Sequence, residues 1–141
     1  MQDAPILFID ADEDDQLLFQ QILTELSIDH PVLIFSEAES ALNYLGTTAQ
    51  SPFLIICEMD MPRMNGLELR QRIEADPALR QKSIPFIFMT APVEEHLVDQ
   101  AYALTIQGLF EKKTSLQAWK DQLQSILAYW SECLHPKRFG R

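Results

Sequence analysis

Ile55-Ile56-Cys57-Glu58-Met59-Asp60-Met61-Pro62 runs from apolar residues into a carboxylate and then into a loop that goes on to Asn65 and Gly66. An apolar run of this length, closed by turn-forming residues, reads as a strand buried on both faces. Glu58 then stands at the strand's carboxyl end, and a carboxylate ahead of a loop bearing proline and glycine suits phosphate chemistry.

Four more apolar runs of strand length lie on either side: Ile6-Leu7-Phe8-Ile9, Val32-Leu33-Ile34-Phe35, Phe86-Ile87-Phe88-Met89 and the shorter Gly108-Leu109-Phe110. Between them the apolar residues recur at helical spacing. Leu18, Ile22 and Leu26 share one face, as do Leu69 and Ile73, then Leu97, Ala101 and Leu104, and finally Leu116, Trp119, Leu123, Ile126, Leu127 and Trp130. Residues 37–45 supply another short helix. Strand followed by helix, five times over, predicts an α/β fold with a parallel sheet covered on both sides. Right-handed crossovers leave few topologies, and the doubly wound order 2-1-3-4-5 is the commonest for five strands. Ligands of such sheets sit at the carboxyl ends of the first and third strands. Asp10 and Glu58 close those two strands, so topology alone brings them together.

The chain has 141 residues with 47% hydrophobic content, enough for one buried core. We expect one domain over residues 1–134 and a basic tail, His135-Pro136-Lys137-Arg138-Phe139-Gly140-Arg141, trailing off the last helix. No second domain is expected after it. No long apolar run or basic leader appears, so the expected location is the cytoplasm, away from membranes. The net charge of −10 disfavours nucleic acid, whose phosphates would be repelled. All eleven Lys and Arg fall after residue 60, whereas Asp10, Asp12, Glu13, Asp14 and Asp15 cluster near the first strand's end. That cluster calls for a counter-ion, either a divalent cation or a lysine, although acids at 13–15 also suit a helix N-terminus.

These residues carry a resemblance to the response-regulator receiver domain, the flavodoxin-like switch of two-component signalling. Its first strand and acidic pocket are matched by Ile6-Leu7-Phe8-Ile9-Asp10-Ala11-Asp12-Glu13-Asp14-Asp15, and Glu58-Met59-Asp60-Met61-Pro62-Arg63-Met64-Asn65-Gly66 is similar to the family's D-x-x-M-P-x-M-x-G segment. Thr90 and Lys112 match the hydroxyl and the lysine that end the fourth and fifth strands. In the family an aspartate accepts a phosphoryl group with Mg²⁺ and the lysine neutralising its oxygens, after which the hydroxyl and ammonium bind the new oxygens. The resemblance thus makes Glu58 the phosphoacceptor equivalent and Asp10, Thr90 and Lys112 its pocket, with Asp10, Glu58 and Asp60 as the metal-ligand set.

Four departures set the expectations. Glu58 replaces the aspartate and moves the carboxylate by roughly 1.5 Å, one bond length, a displacement that can cost about a hundredfold in rate. Ala11 stands where the second metal-binding acid belongs, and Asp12 is shifted by one residue, so Mg²⁺ binding is expected to be weak or absent. Lys113 replaces a proline, and Leu109 occupies the aromatic switch position, leaving Phe110 as the neighbour that could move instead. The expected function is a stand-alone, degenerate signalling module, not an enzyme, that works without phosphorylation. The resemblance places its contacts on the helix carrying Leu97, the fifth strand and the last helix. Partners would be a histidine kinase, another regulator or a second copy. The alternatives are a conventional phosphoacceptor using Glu58 or Asp60, an inert Glu58–Lys112 ion pair, and a Mg²⁺-dependent phosphatase. His30, His96 and His135 are expected as surface or capping residues, Cys57 and Cys133 as free thiols, and Met59, Met61 and Met64 as loop packing. Trp119 is expected in the core and Trp130 at a partner surface.

Overall fold

A computed structural model of the protein describes residues 4–136. Within them, Ile6–Ile9 (β1), Val32–Phe35 (β2), Leu54–Cys57 (β3), Phe86–Thr90 (β4) and Gly108–Glu111 (β5) form one parallel sheet in the order β2-β1-β3-β4-β5. This is the doubly wound arrangement that the alternating pattern predicts. The helices are Glu13–Glu25 (α1), Ala38–Thr47 (α2), Gly66–Ala75 (α3), Pro77–Gln81 (α4), Glu95–Ala103 (α5) and Leu116–Glu132 (α6).

Strand alternation builds two cores from one sheet. Leu7, Ile9, Ile55, Cys57, Phe86 and Phe88 face the layer of α2, α3, α4 and α5. Ile6, Phe8, Leu54, Ile56, Ile87 and Met89 face α1 and α6. β1, β3 and β4 are wholly buried, which explains their unbroken apolar runs. On the second face Phe8 stacks on Phe19 with ring centres 4.0 Å apart, and Trp119 tilts against both at 6.3 Å. Burying a phenylalanine side chain contributes roughly 1.5–3 kcal/mol, so this cluster is a principal anchor of α1 and α6.

The helix termini follow from their caps. Asp12 accepts from the Asp14 and Asp15 N–H groups and starts α1. Asn65 and Glu68 form a reciprocal capping box at α3, and Ser115 caps α6. Asp76 ends α3 and caps α4, with Pro77 in the first turn. The short helix α4 is additional to the expected elements, so the helix expected as the fourth is α5 and the last is α6.

The tail expectation also needs correction. His135 is 4% exposed, its Nε2 lies 2.9 Å from the Phe53 carbonyl oxygen, and its ring stacks on Phe53. His30 stacks on Phe53 too, at 3.9 Å, with Nδ1 2.8 Å from the Ala4 carbonyl oxygen. His135 is therefore part of the fold, because a neutral imidazole can bury its ring while its nitrogen satisfies a strand-end carbonyl. Residues 137–141 lie outside the described residues. Trp119 is in the core as expected, Trp130 packs half-buried against the α1 and α6 layer, and Met59 and Met61 are buried loop packing. Both cysteines are free, Cys57 buried and Cys133 half-buried.

Candidate functional site

Register brings the site together. Ile9 pairs with Phe35 on one side and Cys57 on the other, so Asp10 and Glu58 emerge side by side one residue later. The pairing continues into the loops: Asp10 N–H donates to the Phe35 carbonyl at 3.0 Å and Glu58 N–H to the Ile9 carbonyl at 2.9 Å. Lys112 N–H donates to the Thr90 carbonyl at 2.8 Å, which fixes the lysine beside the hydroxyl. Gly66 N–H closes the loop after β3 onto the Met59 carbonyl at 2.9 Å.

Glu58 points inward and is 8% exposed. Its Oε2 accepts from Met59 N–H at 2.6 Å, from Asp60 N–H at 3.2 Å and from the Thr90 hydroxyl. Its Oε1 lies 2.9 Å from the Lys112 ammonium. Asp10, 2% exposed, accepts from Asp12 N–H through Oδ1 at 2.9 Å and from Lys112 through Oδ2 at 2.6 Å. Asp10, Glu58, Thr90 and Lys112, expected to share a site, therefore do share one. Asp60 turns its side chain to solvent and contributes only its backbone N–H.

Asp15, one of the acids clustered after the first strand, also belongs to the site. Its Oδ2 lies 2.7 Å from Lys112 Nζ. Asp12, weighed as the shifted second acid, is committed to capping α1 and is exposed. Asp15 sits three residues after that cap, and the first turn of α1 brings it to the strand end; a cap three residues ahead of an acid was the available signal. Gln16 is a second unanticipated residue. Its Nε2 donates to the Asp10 carbonyl at 2.6 Å and to Ser36 Oγ at 2.9 Å, tying β1 to the end of β2.

One ammonium serves three carboxylates, and the proton affinities reflect this. Burial pushes the Asp10 carboxyl above its ordinary value, against the pull of Lys112 and the Asp12 N–H. Burial alone would lower Lys112, but hydrogen bonds to Asp10, Asp15 and Glu58 outweigh it and hold the ammonium well above an ordinary lysine. The site keeps its lysine charged.

Mg²⁺ requires near-octahedral oxygen ligands, usually one or two carboxylates with several waters. The four carboxylate oxygens of Asp10 and Glu58 are already taken up by N–H, O–H and ammonium donors. Among the described residues no group of three or more His, Cys, Asp or Glu side chains could hold a metal ion. Asp10, Glu58 and Asp60 do not form a ligand set, so these residues do not fit Mg²⁺.

Leu109, at the switch position, packs half-buried on the face of the sheet covered by α5. Phe110 lies on the opposite face with Met89, so it cannot stand in for a residue moving beside Thr90. Strand alternation rules out that substitution. No helix among the described residues is long and apolar enough to cross a membrane.

The chain is 26% identical over 132 residues to response regulator Rcp1 of Synechocystis sp., covering 90% of this chain and 88% of that one. It is 24% identical over 121 residues to a probable chemotaxis protein CheY of Rhizobium etli, covering 86% and 90%. A crystal structure of the phosphorylated cyanobacterial phytochrome response regulator RcpA superposes with a TM-score of 0.82 at 22% identity, over 92% of this chain and 95% of that one. The Mn²⁺-bound form of Rcp1 gives a TM-score of 0.80 at 25% identity, over 93% and 96%. With residues 6–124 matching the response regulator receiver domain, the chain belongs to that family, the CheY-like domains of two-component signalling.

Proposed function

We propose that this receiver domain signals without phosphoryl transfer, through protein contacts on the face of α5, β5 and α6, with Glu58 standing where a phosphoryl group would act. One observation supports this reading above the others: the Glu58 carboxylate takes the Thr90 hydroxyl and the Lys112 ammonium at once. Those are the two groups that bind phosphoryl oxygens in the family's switch. Glutamate supplies one negative charge where a phosphoryl group supplies about two, so the imitation is of position more than of charge. Partners of this face are a histidine kinase, another regulator or a second copy of the chain. A phosphatase reading needs an aspartate nucleophile, and Glu58 with Asp60 keeps the spacing but supplies the wrong nucleophile.

The test is incubation with acetyl phosphate and Mg²⁺, followed by intact mass measurement, on the native protein and on an Ala11→Asp, Glu58→Asp variant. The expected adduct appears only on the variant. An adduct on the native protein, mapped to Glu58 or Asp60, would overturn the reading in favour of a conventional phosphoacceptor. Partner capture by native protein and by Glu58→Gln then separates a working mimic from an inert ion pair, because only the mimic loses its partner.

A further inference from the structure

We propose that Lys112 is the resident cation of this site, and that Asp15 on α1 is the positioning residue that fixes it there, so that the pocket closes without a divalent metal. An ammonium has three N–H donors. Lys112 Nζ meets three carboxylate oxygens, from Asp10 at 2.6 Å, Asp15 at 2.7 Å and Glu58 at 2.9 Å. Its donors are fully used. The receiver arrangement places its acids on the first strand and a metal between them and the acceptor; here Ala11 supplies no acid and is exposed. The third carboxylate comes instead from the first turn of α1, whose orientation is set by the Asp12 cap at Asp14 and Asp15.

The consequence is geometric. With Asp15 drawing it from one side and Asp10 with Glu58 from the other, the ammonium occupies the centre of the carboxylate cluster. A metal entering there would have to displace it from three charge-assisted hydrogen bonds, the strong class of such bonds. This assignment does not depend on whether Glu58 imitates a phosphoryl group, because an inert pair would have the same arrangement.

Two measurements test it. Mn²⁺ is titrated into ¹⁵N-labelled native protein and into the Ala11→Asp, Glu58→Asp variant, reading paramagnetic broadening of the amides of residues 10, 11 and 58. The native protein should keep these signals at concentrations that erase them in the variant; equal broadening in both would overturn the proposal. Separately, Lys112 acylation by acetic anhydride is quantified by peptide mass spectrometry against exposed Lys113. Asp15→Asn should raise the Lys112 rate roughly tenfold, the equilibrium change from losing one charge-assisted hydrogen bond, and Asp15→Glu should recover part of the protection. An unchanged Lys112 rate in Asp15→Asn would show that Asp10 and Glu58 hold the lysine alone, and would remove Asp15 from the site.

Discussion

The Lys112 ammonium lies 2.9 Å from the Glu58 carboxylate, in a pocket where the two side chains are 15% and 9% exposed. A charge shielded to this degree depends on its partner. Lys112→Met keeps the length of the side chain but leaves Asp10, Asp15 and Glu58 without their cation, and breaking a buried pair this way costs about 3–5 kcal/mol. The pH dependence should change as well. In the native protein the raised affinity of Lys112 adds stability that is complete below the ordinary lysine value of 10.5 and is lost as pH rises through the still higher folded value. In the variant Asp10, whose proton affinity burial already raises, loses the opposing pull of Lys112, so stability should rise more steeply as pH falls from neutral towards the carboxylate range. Urea denaturation across that range is the check; a native-like midpoint in Lys112→Met would refute this charge balance.

Much of this site is legible in the sequence. Five apolar runs gave the sheet because parallel strands are buried on both faces and leave no polar alternation to confuse them. Asp10 and Glu58 converged on paper because register and strand order place the ends of the first and third strands side by side. Asp15 could not be placed that way. Which of the four acids after Asp10 reaches a lysine about a hundred residues away is decided by the rotation of one helical turn, and that rotation is set by the Asp12 cap. α4 was legible in principle, since Asp76-Pro77 is a helix-start signal, but at five residues its apolar period is too short to register. His135 was not legible, because its place depends on Phe53, 82 positions earlier.

Thr90→Val tests the hydroxyl alone. The side chain is 2% exposed and donates to Glu58 Oε2. Replacing the hydroxyl with a methyl removes a hydrogen bond to a charged group, at a cost of about 1.5–3 kcal/mol. Thr90→Ser keeps the donor and should lose less. Equal losses in both variants would assign the effect to packing of the threonine methyl instead, and thermal denaturation of the pair decides between them.

Gly66 sets the loop that carries Glu58. A β-carbon there would lie 2.4 Å from the Glu58 carbonyl oxygen and 2.8 Å from the Phe88 ring, too close for either to tolerate. Gly66→Ala must therefore push the β3–α3 loop away from β3, and overpacking of this kind costs about 1–3 kcal/mol. The displacement should also reach the site, loosening the Thr90 contact with Glu58. Amide chemical shifts at residues 58, 59 and 90 are the readout, and changes confined to α3 would contradict that coupling.

His135 makes the fold sensitive to mild acid at the opposite end of the sheet from Glu58. Burial pulls its proton affinity below the ordinary 6.5, against the hydrogen bond to the Phe53 carbonyl. The imidazole is thus neutral at neutral pH, with the ring stacked on Phe53 and its Nε2–H donating to that carbonyl. Because the unfolded chain takes up this proton more readily than the folded one, the sign is fixed: the contribution is complete above 6.5 and is lost as pH falls through and below that value. His30, Asp29 and Cys133 line the same cavity, of about 420 Å³, and share its surroundings. His135→Phe keeps an aromatic ring against Phe53 and removes the titrating group. The variant should lose stability at neutral pH, where the hydrogen bond to Phe53 is gone, yet show a shallower decline on acidification than the native protein. Parallel pH slopes for the two proteins would mean that some other group carries the acid sensitivity.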